Sequence, residues 1–536
     1  MRAAHIALAV LVVVGTVAPA AGAATGVDRQ AQTRADLSSA DRQAQTRADP
    51  SSDRVGWENG YWHDDAVSVD QSDGLSDAEL EAYVARAMAR VEYLREAEFE
   101  KSVPVEVISR DEFRQRANNG TSSDAFAAWN NQVWEALFID GEDSNVQDEL
   151  GRTVGESVTG FYSPGNDEIR IVTDTPESPT IDNATLVHEL THALQDQTVD
   201  LTSEQLSGGT QDADLAVDGL VEGEANLIES LYTRRCGTEW ECVEAPSSGG
   251  GSGGERPNLG ILLTILQPYS DGPVYVNDLR RQRGWDAVTA AYERPPASTE
   301  QVIHLTDEEP RPVAFEDRAR GDWKPYPDQG ENGSDTVGEA SIYSMFWYQA
   351  RTANADTVDP RAITRTSTEF DTYDYGAEPS AGWANDRVFP YRDGPAGEND
   401  TRHGYVWVTE WDTERDAREF HRAYLAILSA HDARTREDGI RVVEEGRFAD
   451  AFRVVRNGTR VTVVNGPTPT AVDAIRPGLT DVGTGGSADG SGSGDGGEDD
   501  GDDPRIGSGR SAPGFGPVVA LLAILATAAV ALRRRH

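Results

Sequence analysis

The sequence predicts a mixed α+β fold that ends in a small α+β lobe. Apolar residues recur at helical spacing in several segments between residues 76 and 351, which predicts a largely helical central region. Short segments in which apolar and polar residues alternate, such as 103–108, predict strands beside those helices. Near the C-terminus, Asn457-Gly458 lies between two apolar runs and is typical of a tight β-hairpin turn. These patterns divide the predicted elements among three successive regions.

The three regions together cover residues 56–475. The N-terminal α/β lobe, 56–175, is predicted to contain a helix at 76–98, a strand at 103–108, a helix at 111–139 and a hairpin at 161–172. The helical region, 176–375, has helical patterns at 186–197, 214–227, 259–266, 276–292 and 337–351. The C-terminal α+β lobe, 376–475, has an apolar segment at 405–411, a helix at 413–428 and strands at 452–455 and 461–464.

The two ends of the chain differ from ordinary globular sequence. Residues 1–23 combine an arginine, an apolar run and small residues at the end, which is typical of a secretory signal peptide. Residues 24–55 contain a duplicated polar segment and are predicted to be a disordered spacer. Residues 476–512 are an acidic Gly/Ser linker, and 513–536 carry an apolar run followed by three arginines, which indicates a membrane anchor or a sorting signal. We therefore expect an exported protein that is anchored in the membrane at the cell surface.

The composition restricts the classes of function. The 536 residues carry a formal net charge of −44, and the acidic residues are dispersed while hydrophobic residues still make up 38%. Lys101 and Lys324 are the only lysines among 48 basic residues, a pattern that fits a protein working in concentrated salt, where self-repulsion is screened. The chain is acidic and lacks a basic patch, so nucleic-acid binding is not expected. It also lacks a phosphate-binding glycine loop and the nucleophile elbow of serine hydrolases.

The strongest chemical signal is the segment His188-Glu189-Leu190-Thr191-His192. Residues four apart on an α-helix lie about 6 Å from each other on one face, so the two imidazoles can converge on one metal ion. Glu189 points to the side of that face, where it can hold a water molecule beside the metal. Asp182 and Asn183 lie where helix N-cap residues belong. The alternative is a helix whose two histidines only form hydrogen bonds within a core.

A zinc site needs a third protein ligand, and the next helical pattern is rich in acidic residues. Glu222 is the expected ligand, and Glu224 is the alternative. Asp218 and Asn226 lie one turn on either side of Glu222 and are expected to orient a histidine. An acidic, solvated helix face would explain the same residues without a metal.

These two segments resemble the gluzincin metallopeptidases, in which His-Glu-x-x-His is completed by a glutamate on a following helix. Glu222-Gly223-Glu224-Ala225 is similar to the Glu-Gly-Phe-Ala segment that carries this ligand in the aminopeptidase branch. The resemblance implies a zincin-like metallopeptidase core with the active-site helix next to a sheet edge. It also implies a Zn2+ ion held by His188, His192 and Glu222, with Glu189 as general base.

The resemblance further implies that the substrate is a peptide or protein, hydrolysed by a zinc-activated water. His304 and Tyr343 are candidates for stabilising the oxyanion, although a surface histidine and a core aromatic explain them equally well. A non-catalytic cell-surface structural or binding protein with a structural metal site is the alternative function.

The C-terminal tail has a resemblance of its own. Pro513-Gly514-Phe515-Gly516, the apolar run and Arg533-Arg534-Arg535 are similar to the PGF-type sorting signals of archaeal surface proteins. The resemblance implies that a membrane-embedded sortase removes the apolar run and attaches a lipid. A plain transmembrane anchor is the alternative, and either arrangement leaves most of the chain outside the membrane.

The remaining sequence signals concern covalent modification. Cys236 and Cys242 are the only cysteines and are expected to form a disulfide, with a cysteine-containing zinc site as the alternative. Five sequons are compatible with surface glycosylation, at Asn119, Asn183, Asn332, Asn399 and Asn457.

Overall fold

The computed structural model describes residues 49–117, 123–142, 144–155, 158–243, 257–366, 368–395 and 401–479. The predicted signal peptide, most of the spacer, most of the linker, the C-terminal tail and the sequons at Asn119 and Asn399 lie outside the described residues. No helix in the described part of the chain is long and apolar enough to cross a membrane. The described residues form a mixed α+β fold, as predicted.

The N-terminal part combines a small sheet with four helices. Its elements are β1 (Trp57–Glu58), β2 (Tyr61–Trp62), α1 (Asp77–Arg95), β3 (Val105–Ser109), α2 (Arg110–Ala117), α3 (Asp124–Ala136), α4 (Val146–Gly155), β4 (Gly160–Ser163) and β5 (Glu168–Thr173). The sheet order is β3-β5-β4, in which β3 is parallel to β5 and β4 is an antiparallel edge strand. The prediction of one helix over 111–139 is wrong, because Ser123 caps a new helix by accepting a hydrogen bond from the backbone N–H of Phe126.

The central part is helical, as predicted. Its elements are α5 (Asn183–Val199), α6 (Gln211–Thr233), α7 (Leu259–Arg283), α8 (Trp285–Ala291), α9 (Thr299–His304), β6 (Trp323–Pro325) and α10 (Gly338–Thr352). The prediction of separate helices at 259–266 and 276–292 is wrong. α7 continues through Pro268 and Pro273, and the break falls at Gly284, whose φ of +76° suits glycine and ends the helix. Packing against α6 overrides the tendency of the two prolines to interrupt α7.

The crossing of α6 and α7 brings their backbones into contact at glycines. A Cβ atom on Gly223 would lie 2.4 Å from the carbonyl carbon of Gly272, and a Cβ atom on Gly272 would lie 2.5 Å from the carbonyl oxygen of Gly219. Both distances are too short for any side chain, so the crossing requires glycine at Gly223 and at Gly272. Because Gly223 directly follows Glu222, the crossing fixes the position of Glu222 on α6.

The C-terminal part is a seven-stranded antiparallel sheet with flanking helices. Its elements are β7 (Trp383–Asp393), β8 (Arg402–Trp411), α11 (Glu414–Ala430), β9 (Arg434–Thr435), β10 (Arg441–Val442), β11 (Ala451–Asn457), β12 (Arg460–Gly466) and α12 (Pro469–Ile475). The strand order is β6-β7-β8-β12-β11-β10-β9. The β11–β12 hairpin pairs Asn457 with Arg460, so its turn residues are Gly458 and Thr459, one position later than predicted.

Two hydrophobic cores organise these parts. In the first, α3 and α11 share one face of the seven-stranded sheet, with Trp134, Phe420 and Trp407 among the buried side chains. In the second, α1, α5 and α6 pack together next to the small sheet. The second core supports α5, the helix that carries the two histidines, because the apolar face of α5 is buried in it.

The disulfide and one sequon lie close to the end of α6. Cys236 and Cys242 form the predicted disulfide. The side chain of Asn183 accepts a hydrogen bond from the hydroxyl of Tyr232 at 3.0 Å and donates one to the carbonyl oxygen of Val243. These contacts occupy the Asn183 amide, so a glycan at this sequon would have to displace them.

Candidate metal centre

The helix α5 holds His188, Glu189 and His192 in a buried position. The side chain of Asp182 caps the helix by accepting a hydrogen bond from the backbone N–H of Thr185, as predicted for this position. Each of the three functional side chains is only 1% exposed. The two histidine rings are one helical turn apart, and their Nε2 atoms lie 3.0 Å from each other.

The helix α6 brings Glu222 to the same point. Its Oε2 atom lies 3.1 Å from Nε2 of His188 and 3.3 Å from Nε2 of His192, so the three atoms form a nearly equilateral triangle. Ligands of tetrahedral zinc with bond lengths near 2.0–2.1 Å are separated by about 3.3 Å. The size and donor set of this triangle therefore fit a zinc ion held by two imidazoles and one carboxylate.

The hydrogen bonds behind His192 fix its tautomer. The amide nitrogen of Gln195 donates to the carbonyl oxygen of Val221 and to the hydroxyl of Tyr292, both at 2.8 Å. The amide oxygen of Gln195 must therefore be the atom that accepts a hydrogen bond from Nδ1 of His192, also at 2.8 Å. With its proton on Nδ1, His192 directs the lone pair of Nε2 towards the triangle.

A carboxylate lies behind the other histidine. Nδ1 of His188 is 3.5 Å from Oε2 of Glu229, a contact slightly longer than an ordinary hydrogen bond. A proton on Nδ1 of His188 would face this carboxylate, and the lone pairs of both Nε2 atoms would then face each other at 3.0 Å. Two facing lone pairs repel each other unless a cation lies between them, which is a second reason why the site fits a metal.

The prediction that Asp218 or Asn226 orients a histidine is wrong. The residues next to the Nδ1 atoms of His192 and His188 are Gln195 and Glu229. The side chain of Asn226 donates a hydrogen bond to the backbone carbonyl of Glu222. Asp218 has a solvent-exposed side chain, yet the surrounding protein and the charge of Glu222 raise the pKa of its carboxyl well above the usual range. Asp218 therefore lies one helical turn from Glu222 at a position that solvent reaches.

The alternative ligand, Glu224, has other partners. It accepts hydrogen bonds from the guanidinium of Arg95 and, at 2.7 Å, from the hydroxyl of Tyr292. Because Tyr292 also contacts Gln195, a chain of hydrogen bonds connects Glu224 to His192. Glu224 therefore supports the residues behind the histidine and does not join the triangle.

Glu189 lies beside the triangle and is tied to the edge strand β4. Its Oε2 atom accepts a hydrogen bond of 2.7 Å from the backbone N–H of Tyr162. The hydroxyl of Tyr162 donates a second hydrogen bond, of 2.8 Å, to Asp196 on α5. Burial raises the pKa of Glu189 above its ordinary value, although the two neighbouring histidines oppose this effect.

The ionisation of Glu222 and the two histidines favours a bound cation. Burial alone would raise the pKa of Glu222, but the two histidines lower it well below its usual range. Burial also disfavours a charged His188, but the hydrogen bond to Glu222 and the nearby carboxylate of Glu229 outweigh burial and raise the pKa of His188 to about 10. The carboxylate of Glu222 thus stays ionised and attracts a cation, whether that cation is a proton or a metal ion.

Sequence reasoning missed Tyr269 on α7. Its ring is stacked on that of His188 with centroids 6.4 Å apart, and its hydroxyl lies within hydrogen-bonding reach of Glu222. Burial raises the pKa of this hydroxyl well above the usual value, so it remains a hydrogen-bond donor. No local pattern could have identified Tyr269, because its approach depends on the crossing of α6 and α7.

The two residues proposed for the oxyanion have partners elsewhere. Nε2 of His304 lies 3.0 Å from both carboxylate oxygens of Glu339. Tyr343 is fully buried on α10, where its ring packs against that of Tyr375. The hydrogen bonds of His304 and the ring contact of Tyr343 thus lead to Glu339 and Tyr375, and not to the triangle.

Comparison with known proteins adds a match outside this site. A family model described as a domain of unknown function (DUF8575) matches residues 324–476. The match includes α10 and almost the whole seven-stranded sheet with its helices, whereas α5 and α6 precede it. No curated protein and no solved structure matches the chain. The chain is thus similar to a domain of unknown function over its C-terminal part, and the chemistry of the metal centre has to be argued from its own residues.

Proposed function

We propose that the protein is an exported, membrane-anchored zinc metallopeptidase that hydrolyses peptide bonds. The observation that carries the proposal is the convergence of His188, His192 and Glu222 on one point, with the carboxylate of Glu189 beside it. Two imidazoles and one carboxylate leave a fourth position of tetrahedral zinc for water or substrate, the arrangement of catalytic rather than structural sites.

The residues of the site have separate roles in this proposal. His188 and His192 would hold the ion through Nε2, and Glu222 would hold it through a carboxylate oxygen. Bound zinc supplies Lewis acidity, which polarises the scissile carbonyl and makes a water molecule more acidic. Glu189 takes the proton from the attacking water and passes it to the leaving amine. Because Oε2 of Glu189 is held by Tyr162, Oε1 is the oxygen that carries this proton.

The surroundings of α5 support a zincin-like core of the gluzincin type. In the zincin-like arrangement the active-site helix lies next to a sheet edge, and here β4 is an edge strand that contacts α5 through Tyr162. An extended peptide substrate can add to such an edge by main-chain hydrogen bonds. The hydroxyl of Tyr269, next to Glu222, is a better placed donor for an oxyanion than His304 or Tyr343.

The proposed location rests on the ends of the chain. The signal peptide directs export, and the PGF-type tail is cut by a sortase that attaches a lipid, or else serves as a transmembrane anchor. The folded part then acts on peptides or proteins outside the cell, in concentrated salt. This setting suits a chain with a formal charge of −44.

A structural metal site in a cell-surface structural or binding protein is the second candidate function. Burial favours it, because His188 and His192 are 1% exposed and Glu222 is 3% exposed. The exposure of Asp218 favours the enzyme, because solvent reaches α6 one turn from Glu222. The two functions differ in whether Glu189 is needed for anything beyond folding.

Metal analysis combined with a cleavage screen distinguishes the two functions. The protein is purified in concentrated salt, its zinc content is measured, and it is incubated with an unbiased peptide library. The enzyme is expected to hold about one zinc per chain and to cleave the library, with activity lost on zinc removal and restored by zinc. A protein that holds zinc and leaves the library intact would instead be the structural or binding protein.

A further inference from the structure

A second group of carboxylates lies away from α5 and α6. Glu135 ends α3 together with Ala136, Glu142 lies in the segment that follows, and Asp450 directly precedes β11. Each contributes a carboxylate oxygen, and these three oxygens all lie within 4.8 Å of one another. The group therefore joins two stretches of chain that are far apart in sequence.

Two of these carboxyl groups are deeply buried without a compensating cation from the described residues. Glu135 is 2% exposed and Asp450 is 3% exposed. Arg447 lies in the same segment as Asp450, but its guanidinium forms its ion pair with Asp140 at 2.8 Å. Buried carboxylates that are not paired with a positive charge are costly, so their proximity requires either a cation or a proton.

The hydrogen bonds around the pair leave particular oxygens unused. The amide nitrogen of Gln132 donates to Oε2 of Glu135 at 2.6 Å, and that of Asn465 donates to Oδ2 of Asp450 at 2.7 Å. The other carboxylate oxygens, Oε1 of Glu135 and Oδ1 of Asp450, are buried and accept no hydrogen bond within the described residues. The amide oxygens of Gln132 and Asn465 are buried and unpartnered in the same way. Four buried oxygen atoms, two of the carboxylates and two of the amides bonded to them, thus accept no hydrogen bond within the described residues.

We propose that Glu135, Glu142 and Asp450 form a second metal site, which binds a hard divalent cation of the Ca2+ class. Ca2+ prefers oxygen ligands at 2.3–2.6 Å, so two of its ligands can be separated by up to about 5 Å. The group offers only oxygen atoms, whereas zinc sites favour histidine and cysteine. A divalent ion also neutralises more of the three carboxylates than Na+ or K+ would.

The proposed ion connects parts of the fold that no covalent bond holds together. Glu135 and Glu142 precede the region that matches the family model, whereas Asp450 and Asn465 lie inside it. The ion thereby fastens α3 and the segment after it to the β11–β12 hairpin. Since ligand binding to the folded state alone stabilises it, Ca2+ should raise the unfolding temperature of the whole chain.

A shared proton is the competing arrangement, and it predicts a different response. Burial raises the pKa of Asp450 to about 8 and that of Glu135 well above its usual range, and the two carboxyl groups are close enough to form a hydrogen bond. If a proton alone occupies the gap, Ca2+ has no differential affinity for the folded state. The unfolding temperature would then depend on pH and not on Ca2+.

The test compares the protein with its Glu135→Gln/Asp450→Asn double variant. Both replacements keep the side-chain shape and remove the charge, so they do not open a cavity. The matched control is Glu437→Gln/Glu445→Gln, which removes the same charge from exposed positions in the same region. Each protein is freed of Ca2+ and Mg2+, reloaded with one equivalent of zinc and titrated with CaCl2, and separately with MgCl2, in concentrated KCl. Bound metal is measured by mass spectrometry after equilibrium dialysis, and the unfolding temperature by calorimetry.

We expect the unaltered protein and the control to bind one more Ca2+ per chain than the double variant, and to unfold at a temperature several degrees higher when Ca2+ is present. Mg2+ binding with the same dependence on Glu135 and Asp450 would support a divalent site that is less selective. Equal uptake by all three proteins would mean that Ca2+ binds only to the acidic surface, and it would overturn the proposal. A Ca2+-independent unfolding temperature in the unaltered protein would overturn it too. A single cooperative unfolding transition in the double variant shows that its fold is intact.

Discussion

Glu222 and Glu224 lie two positions apart on α6 and face different partners. Glu222 places Oε2 at 3.1 Å from Nε2 of His188, whereas Glu224 accepts hydrogen bonds from Arg95 and Tyr292. Two residues along an α-helix correspond to a rotation of about 200°, so only one of the two glutamates can face the histidines. The two positions can therefore be tested against each other.

The first prediction concerns the third metal ligand. Glu222→Ala should lose zinc, because two histidines alone do not hold the ion. Glu224→Ala should keep zinc but lower the free energy of unfolding by about 3–5 kcal/mol, because it leaves the buried guanidinium of Arg95 without its carboxylate. Zinc content and thermal unfolding are measured on both variants. Loss of zinc from Glu224→Ala but not from Glu222→Ala would identify Glu224 as the third ligand. It would also contradict the resemblance to the aminopeptidase branch.

The second prediction concerns the general base. Glu189→Gln keeps the size of the side chain and an oxygen that can accept the hydrogen bond from Tyr162, but it cannot take a proton. It should retain about one zinc per chain while kcat falls by orders of magnitude. His188→Ala and His192→Ala serve as contrasts, since both should lose the metal itself. An unimpaired Gln variant would show that Glu189 is not the base.

The third prediction concerns the residue behind His192. Gln195→Ala removes the acceptor that holds the proton of His192 on Nδ1, so the zinc affinity should fall by about 10–100-fold. Gln197→Ala is the matched control, because Gln197 is on the same helix but binds the backbone of Glu100 and Lys101 instead. Competition with a zinc chelator measures both affinities. Equal affinities would mean that the hydrogen bond does not contribute to the site.

The fourth prediction concerns the dependence of stability on pH. Burial raises the pKa of Glu58 to about 7 and that of Glu92 to about 9, where β1 packs on α1. Because the folded chain binds these protons more tightly than the unfolded chain, their stabilising effect is complete below the ordinary pKa of 4.5 and is lost as the pH rises through about 7 to 9. The unfolding temperature of Glu58→Gln should therefore fall less steeply with rising pH than that of the unaltered protein. Glu81→Gln, an exposed change on α1, should leave the slope unaltered.

The fifth prediction concerns the C-terminal tail, which lies outside the described residues. If residues 513–536 are a sorting signal, the mature protein extracted from the native membrane should end near Pro513 and carry a lipid. Intact-mass analysis measures both features. A polypeptide that still ends at His536 would rule out processing and indicate an ordinary transmembrane anchor.

The parts of the site that follow from helix geometry alone could be predicted from the sequence. His188 and His192 are one turn apart on any helix, and the cap at Asp182 has a local signal. Gln195 also lies on α5, yet its role depends on Val221 and Tyr292, which reach it through tertiary packing. Such contacts leave no pattern in the neighbouring sequence.

The fold shows the same division between local and distant causes. The helix over 413–428 and the C-terminal strands have regular patterns, and the structure contains them. The continuation of α7 through Pro268 and Pro273 contradicts local propensity and depends on its packing against α6. The position of β6 at the edge of the seven-stranded sheet could not be predicted from local sequence either. β6 pairs with β7, which begins at Trp383, far along the chain.

The glycine crossing of α6 and α7 offers a way to recognise relatives that overall similarity does not reveal. A chain that holds a metal with this helix crossing needs glycine directly after the glutamate ligand, as at Gly223, and a second glycine on the next helix, as at Gly272. A substitution at either glycine would push the helices apart. Genomes can therefore be searched for His-Glu-x-x-His followed by Glu-Gly and a later glycine within a proline-containing helix, and each match would carry its own prediction of which glutamate binds the metal.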